Sequence, residues 1–343
     1  MKTETKNEFS LIPKLLEMQK RRKVTFPKKS DKIGFSLASK DRADLTIQTL
    51  RGIDQEKGFD FIWVDGSDTK EGKSLQKKFS PRRANLIEKY SDMHTGSIGA
   101  IVFGLKRLLE LDYDYCGLIE NDVVLKPKWF STLMNTFNYA AKDGIAVGAT
   151  TVRSYKTRVL EYRKDYTINW SMGGGMILFT REAAELVVKA NDSNIRSISL
   201  YPKEIVRFYS DIFGVDISSM EEWKNRISTL LFPPSQDWSW SILLYKHGLA
   251  SIGSIPTMAK DIGLYDADRA AQVILRRYVT SMENNKGMNY PLSSGLSKAK
   301  LKLVELTTGL VPSTKLYKYY DAYSSRLRKK WEEDYYKEKQ KKE

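Results

Sequence analysis

The chain has 343 residues, and its 41% hydrophobic content suffices for the core of two average domains or of one large α/β domain. Its net charge of +15 lies mainly in residues 1–32 and 298–343, so the basicity says little about the part between them. The single cysteine excludes an internal disulfide, and the absence of a run of about 18 apolar residues argues against a membrane-spanning helix.

Residues 1–30 are predicted to form a basic N-terminal arm that consists of a short amphipathic helix and a linker. Leu11, Ile12, Leu15 and Leu16 recur at helical spacing, and the basic runs "KRRK" and "PKK" follow them. The segment lacks the apolar centre of a secretory signal peptide. We therefore expect a cytoplasmic protein whose basic ends are suited to peripheral contact with the inner face of a membrane.

From residue 31 onward, strand-like and helical segments alternate. The strand-like segments are "KIGFSLAS", "FDFIWVDGS", "ANLIEKY", "DYCGLIEND" and "GIAVGATTV". The alternation predicts an α/β fold with an open, mostly parallel, Rossmann-like sheet that is covered by helices on both faces. Ligands of such sheets bind beyond the carboxyl ends of the strands. Asp65 and the cluster Glu120–Asp122 both fall at that edge.

The cluster Glu120–Asp122 ends one of the apolar strands. Oxygen ligands are preferred by Mg²⁺ and Mn²⁺, which proteins hold by one or two carboxylates together with substrate phosphates. Side chains two positions apart in a strand point the same way, so Glu120 and Asp122 can face one site. The alternative interpretation is an Asx-type turn at a strand end, without any ligand.

The second half of the chain is more mixed. The segment "SMGGGMILFT" predicts a strand, "REAAELVVKA" a helix, and "SQDWSWSILLYKHG" a helix that ends at a glycine. Residues 195–232 are predicted to form a helical insertion, and residues 266–343 a basic, Tyr-rich helical extension. The extension has three interpretations: a helix on an anionic lipid surface, a helix that pairs with a second copy of the chain, and a solvated helix.

The order of these motifs resembles that of the nucleotide-sugar-dependent glycosyltransferases of the GT-A fold, especially the large inverting group called family two. The resemblance rests on "FSLASKDRADL", "IWVDGSDT", "HTGSIGAIVFGL", "GLIEND", "MGGGMILFT" and "QDWSW" in this order. It covers residues 31–265, with a nucleotide-binding half at 31–125 and an acceptor-binding half at 126–265. The chain departs from the pattern at Glu120, where the family has a first Asp, and at Gln236, where a second acid is common.

The resemblance implies a role for each matching position. Ser36, Ala38 and Asp41 would lie near the base and ribose of the donor, and Asp65 would accept a hydrogen bond from the base. Asp122 would be the main ligand of Mn²⁺ or Mg²⁺. Glu120 would help to hold ribose or metal, with Asn121 beside it in the donor site. Asp237 would act as the general base on the acceptor hydroxyl.

Three weaker features of the sequence have two interpretations each. Gly174, in the glycine run, is either part of the wall of the donor-sugar pocket or part of a bend at a sheet edge. Trp238 is either a stacking platform for the acceptor or a core residue. In "AKDIG", Lys260 could contact phosphate and Asp261 the metal, or the two could form a solvated pair in a loop.

The function expected from these features is transfer of one sugar, with inversion, from a nucleoside-diphosphate sugar to a glycan or lipid-linked glycan acceptor. UDP-sugars are the favoured donors. One alternative is a retaining transferase of the same fold, in which Asp237 is not a base. The other is a non-catalytic protein that binds nucleotide sugars or membranes. No motif for DNA or RNA binding is present, and the charge lies in the ends, so no nucleic-acid partner is expected.

Overall fold

The computed structural model of the chain describes residues 11–40, 42–79, 86–89, 96–153, 158–173, 175–192, 202–220 and 236–261. Asp41 and Gly174 lie outside these ranges, as do the predicted extension over 266–343 and parts of the predicted insertion over 195–232. The helices are α1 Ile12–Gln19, α2 Ala43–Asp54, α3 Lys70–Phe79, α4 Gly96–Glu110, α5 Trp129–Lys142, α6 Arg181–Asp192, α7 Pro202–Phe213 and α8 Gln236–Lys246, with a short 3-10 helix at Ile217–Ser219.

The strands are β1 Ile33–Ser39, β2 Asp60–Asp65, β3 Leu86–Lys89, β4 Tyr115–Glu120, β5 Val123–Leu125, β6 Val147–Thr151, β7 Val159–Tyr162, β8 Tyr166–Asn169, β9 Met176–Thr180, β10 Ala250–Ser254 and β11 Ala259–Asp261. In the described part of the chain, nine of them form one sheet in the order β3-β2-β1-β4-β9-β6-β10-β8-β7, and β5 pairs with β11. Strands β3, β2, β1 and β4 are parallel neighbours, whereas β9 and β8 are antiparallel to the strands on either side. All other strands of this sheet run in one direction, which confirms the predicted mostly parallel sheet.

Both faces of the central strands are buried, which explains why β1, β2 and β4 have nearly continuous apolar sequences. On one face, Phe35 of β1 packs edge-to-face on Phe59 and on Trp129 of α5, with ring centroids 5.2 and 5.4 Å away. On the other face, α4 covers β1 and β2. Gly104 brings it close, because a Cβ atom at this position would lie 1.8 Å from Ser36 Oγ. The helices thus fix the strands that carry the acidic edge.

The N-terminal helix α1 packs on this same domain. Its apolar residues Ile12 and Leu15 are buried, and Gln19 Nε2 donates a hydrogen bond of 3.0 Å to the carbonyl of Ala146. Arg22, just after the helix, forms an ion pair of 2.7 Å with Glu182 of α6. An amphipathic helix needs a partner for its apolar face, and α1 finds it on the sheet domain. This part of the predicted arm is therefore docked in the structure.

Some elements have no counterpart in the sequence analysis. The antiparallel pair β7–β8 lies between the fifth predicted strand and the glycine run, where no element was expected. By contrast, helix α7 and the short 3-10 helix fall where a helical insertion was predicted. None of the helices in the described ranges combines the length and the apolar character that crossing a membrane requires.

Candidate functional site

The carboxyl ends of β1, β2 and β4 meet at one edge of the sheet. Ser39 of β1 is in register with Asp65 of β2, and Ala38 is in register with Glu120 of β4. Because neighbouring strands are about 4.8 Å apart, the backbones of Asp65 and Glu120 are about 10 Å apart, with β1 between them. The predicted convergence of these two acids at one edge thus follows from the observed register.

Asp65 is held by hydroxyl groups. Its Oδ1 accepts hydrogen bonds from Ser39 Oγ at 2.7 Å and from Ser67 Oγ at 2.6 Å, and the side chain is buried. Trp63 Nε1 in turn donates to Ser39 Oγ at 2.8 Å. One carboxylate oxygen therefore has a fixed position before any ligand binds. The predicted contact of Asp65 with a nucleotide base stays a prediction.

The turn after β4 is anchored to helix α2 by two hydrogen bonds. Asn121 Nδ2 donates to Thr46 Oγ1 at 3.0 Å, and the backbone N–H of Val123 donates to Thr49 Oγ1 at 3.2 Å. Asn121 is buried, so its amide points to α2 rather than outward. These bonds fix the backbone on both sides of Asp122.

Asp122 forms an ion pair with Arg42, the residue that precedes α2. Arg42 Nη1 lies 2.7 Å from Asp122 Oδ2, and the two side chains are 13% and 17% exposed. The backbone carbonyl of Arg42 accepts the first hydrogen bond of α2, from Thr46 N–H at 2.8 Å. The predicted main metal ligand is therefore ion-paired with an arginine 80 positions away in the chain.

The small sheet β5–β11 brings the distant "AKDIG" segment to the same place. The backbone of Asp261 pairs with Val123, and Lys260 pairs with Val124. Asp261 thus lies opposite the residue that directly follows Asp122. The Lys260 side chain is exposed. Two segments that sequence analysis assigned to one site are neighbours here at the level of the backbone.

The glycine segment runs directly beside the acidic turn. The backbone N–H of Glu120 donates a hydrogen bond of 2.7 Å to the carbonyl of Gly175. Gly175 has a φ of +99°, and a Cβ atom there would lie 2.8 Å from Arg153 Nη1 and 2.9 Å from Val123 Cγ2. A side chain at this position would therefore be strained and would collide with its neighbours. Gly174, the residue predicted to line the donor pocket, lies outside the described residues.

Asp237, in the first turn of α8, is only 6% exposed and forms an ion pair with Arg158 Nη1. The same nitrogen donates to the backbone carbonyl of Met172, just before the glycine segment. The guanidinium also lies over the ring of Trp238, 5.7 Å from its centroid. These contacts hold Arg158 in place, and Arg158 in turn orients the carboxylate of Asp237.

Trp238 is buried in an aromatic cluster. It packs edge-to-face on Trp170 with ring centroids 4.2 Å apart, and Trp170 packs on Tyr209 at 5.8 Å. This is the core-like environment that sequence analysis kept as the alternative interpretation. The predicted contact between Trp238 and an acceptor stays a prediction.

Ser36 and Ala38 lie on the face of β1 that α4 covers. Ser36 is buried next to Gly104, and its Oγ has no hydrogen-bond partner among the described residues. Ala38 is partly buried against an apolar cluster that includes Val64 of β2 and Leu105 of α4. Their predicted proximity to the base and ribose stays a prediction, as does that of Asp41, which lies outside the described residues.

The segment Met172–Gly175 contacts both the acidic turn Glu120–Asp122 and the ion pair of Asp237. At one end, the carbonyl of Met172 accepts from Arg158, the partner of Asp237. At the other end, the carbonyl of Gly175 accepts from Glu120. Three residue steps span at most about 11 Å, so these two contact points cannot be farther apart than that. The partner of Asp237 and the backbone of Glu120 thus bond to two carbonyls of the same short segment.

The carboxylate side chains at this edge of the sheet are of the kind that a hard divalent cation prefers as ligands. In the part of the chain that the structure describes, no group of three or more His, Cys, Asp and Glu side chains is positioned to hold a metal. Mg²⁺ and similar ions, however, are commonly held by one or two carboxylates, with substrate phosphates and water completing the shell. Glu120 and Asp122 offer those two carboxylates at one strand end, and the backbone of Asp261 is adjacent.

Sequence analysis missed the arginines of the site. Arg42 pairs with Asp122, Arg158 pairs with Asp237, and the buried Arg153 lies against Gly175. Arg42 was visible as a basic residue in the polar turn after the first strand. Arg153 and Arg158 lie near the start of a polar stretch that carries no recognisable motif, so no signal pointed to them.

No family model matches the chain, and no curated protein matches it. Among solved structures, the mannosyltransferase PcManGT from Pyrobaculum calidifontis, in complex with GDP-Man and Mn²⁺, is similar with a TM-score of 0.39 and 12% identity, over 92% of each chain. TarS from S. aureus is similar with a TM-score of 0.39 and 10% identity, over 71% of this chain and 39% of TarS. Similarity at this level leaves the function to be inferred from the residues of the chain itself.

Proposed function

We propose that the chain is a GT-A-type glycosyltransferase that depends on Mn²⁺ or Mg²⁺. It transfers a single sugar, with inversion, from a nucleoside-diphosphate sugar to a hydroxyl of a glycan or lipid-linked glycan, and UDP-sugars are the favoured donors. One observation carries the proposal. The acidic turn Glu120–Asp122 and the Asp237 centre contact opposite ends of one short segment, Met172–Gly175.

The acidic edge is the donor side in this proposal. Asp65, whose carboxylate is oriented by Ser39 and Ser67, accepts a hydrogen bond from the base. Glu120 and Asp122 hold the divalent cation, which stabilises the negative charge that develops on the leaving diphosphate. Lys260 and Asp261, on the adjacent strand, extend this site toward phosphate and metal.

The centre around Asp237 is the acceptor side. An acceptor hydroxyl is a poor nucleophile, and a carboxylate that takes its proton makes the attack possible. The acceptor oxygen then forms a bond to the anomeric carbon while the bond from that carbon to the diphosphate oxygen breaks. Attack from the side opposite the diphosphate inverts the anomeric centre. Arg158 supports this role because it fixes the orientation of Asp237.

Thermal unfolding tests the donor side. Wild type and Asp122→Ala are each heated with UDP, GDP, TDP or CMP, with and without Mn²⁺. A ligand at about 100 times its Kd stabilises the native state by about 2.7 kcal/mol, which is a readily measured shift. We expect one nucleoside diphosphate to stabilise wild type only with Mn²⁺, and Asp122→Ala to lose this effect. Wild type that responds to no nucleotide would refute the proposal.

Asp237→Asn tests the acceptor side. The variant is expected to keep the Mn²⁺-dependent stabilisation by nucleotide and to lose transfer of the sugar. A variant that retains turnover would exclude Asp237 as the base. The anomeric configuration of the product, measured by NMR, separates inversion from the retaining alternative. Binding without turnover in wild type would instead identify a non-catalytic nucleotide-sugar-binding protein.

A further inference from the structure

We infer that Arg42 is a donor-binding residue that pairs with Asp122 until a divalent cation binds, and that it then turns to the diphosphate of the donor. This inference rests on the proposed function. It goes beyond the proposed function by assigning a binding role to a residue for which the sequence motifs implied none. The observation behind it is the ion pair of 2.7 Å between Arg42 Nη1 and Asp122 Oδ2.

The ion pair occupies one of the two carboxylate oxygens that Asp122 offers to a cation. Both side chains are less than one-fifth exposed, so water and salt screen the attraction only partly. A divalent cation that approaches Asp122 meets the positive guanidinium at the same carboxylate. The two positive charges compete for this carboxylate, so cation binding favours the state in which Arg42 has moved away, and the competition lowers the apparent affinity for the cation.

The alternative is that Arg42 only fastens the acidic turn to α2. The turn, however, already has two other anchors on this helix. Asn121 bonds to Thr46, and the N–H of Val123 bonds to Thr49, on either side of Asp122. With the backbone fixed at both positions, the turn does not need a third attachment. A charged pair at this place is better explained by the ligand that replaces one of its members.

The displaced guanidinium stays close to the site. Its backbone is held at the start of α2 by the hydrogen bond from Thr46 N–H to the carbonyl of Arg42. The side chain can thus reorient but cannot leave the edge of the sheet. A diphosphate that shares the cation with Asp122 then lies within the region that this side chain can reach. The planar guanidinium fork matches phosphate oxygens in geometry and charge.

The experiment compares wild type with Arg42→Ala, Arg42→Lys, Asp122→Ala and Arg51→Ala. Arg51→Ala is the matched control, because Arg51 is an exposed residue of α2, the helix that Arg42 precedes, and the substitution removes the same charge. Binding of Mn²⁺ alone is measured by electron paramagnetic resonance. Binding of UDP and GDP at saturating Mn²⁺ is measured by calorimetry, and circular dichroism confirms that each variant is folded.

Arg42→Ala is expected to change the two affinities in opposite directions. Mn²⁺ alone should bind about tenfold more tightly, because its competitor at Asp122 is gone. The nucleoside diphosphate should bind about tenfold more weakly, because its guanidinium partner is gone. Arg42→Lys keeps the charge but not the fork, so Mn²⁺ affinity should stay near wild type while nucleotide affinity falls. Arg51→Ala should match wild type in both.

Three results would overturn the inference. Mn²⁺ affinity of Arg42→Ala within about twofold of wild type would mean that Arg42 does not compete with the cation. Loss of both affinities would mean that Arg42 has only a structural role. If no protein in the set binds Mn²⁺ or nucleotide, the proposed function itself fails and the inference fails with it. The first two results leave the proposed function intact.

Discussion

The ion pair between Arg158 and Asp237 should make a large contribution to stability. Arg158→Met removes the guanidinium and keeps most of the apolar stem, while Asp237→Asn keeps the shape of the side chain and removes its charge. Each single change leaves the other partner with an uncompensated charge in a mostly buried place. We therefore expect both variants to unfold more easily than wild type, and the double variant to lose less stability than the two single losses added together.

The magnitude follows from burial and from the other contacts of Arg158. Removing one partner of a buried pair costs about 3–5 kcal/mol. Arg158 is 22% exposed, so about 3 kcal/mol is expected for Asp237→Asn. Arg158→Met also loses the hydrogen bond to the Met172 carbonyl and the contact with the Trp238 ring, each worth about 1 kcal/mol, for a total of about 5 kcal/mol. The coupling between the two changes should be about 2 kcal/mol.

Urea unfolding followed by circular dichroism measures these differences, provided that the free energy of unfolding falls with urea concentration at the same slope in all variants. The pair Arg163–Glu161 is the control, because it lies in the β7–β8 segment that Arg158 precedes, has a similar distance of 2.8 Å, and has side chains 33% and 30% exposed. Its coupling, from Arg163→Met and Glu161→Gln, should stay below about 1 kcal/mol. A coupling below about 0.5 kcal/mol for Arg158 and Asp237 would refute the ion pair and its orienting role.

Two further predictions concern the sheet. Gly104→Ala should destabilise the protein by at least about 2 kcal/mol in urea unfolding, because the new Cβ would overlap Ser36 Oγ, and adding Ser36→Gly should recover part of this loss. Failure of the second change to recover stability would contradict the close packing of α4 on β1. Burial raises the pKa of the Cys116 thiol to about 12, so below that pH the reactive thiolate is scarce. Iodoacetamide at pH 8 should therefore label native protein far more slowly than protein in guanidinium chloride; equal rates would contradict this.

Much of the fold could be predicted because the central strands carry a strong signal. In β1, β2 and β4, burial on both faces requires nearly continuous apolar sequences, and each strand ends in polar residues where the sheet edge reaches ligand or solvent. The segments between them have helical spacing. Hence the order of elements and the edge that carries Asp65 and Glu120 followed from the sequence alone.

The same burial hides which face a strand residue occupies. In a half-exposed strand, alternating polarity separates the two faces, but β1 is buried on both. Ser36 therefore looked as suitable for a ligand as any small polar residue near a strand end. Only the packing of α4, with Gly104 against Ser36, shows that this hydroxyl faces a helix.

The arginine partners were beyond sequence reasoning for a different reason. Arg42 and Arg158 contact acids 80 and 79 positions away, and a single sequence carries no information about which distant charges meet. An arginine in a polar stretch has the same appearance whether it is solvated or paired with a buried acid. The acids themselves were recognisable because they end apolar strands or begin a helix.

The two acid–arginine pairs differ in a way that suits their proposed tasks. Arg158 has fixed neighbours in the Met172 carbonyl and the Trp238 ring, and its partner Asp237 is almost fully buried. Moving it would break several contacts at once. The side chains of Arg42 and Asp122 are similar in solvent exposure, and the turn that carries Asp122 has its own anchors on α2. A base must keep one orientation during proton transfer, whereas a metal ligand must exchange its partner for the cation. The several contacts of Arg158 thus suit the proposed base, and a turn with its own anchors suits a proposed metal ligand that changes its partner.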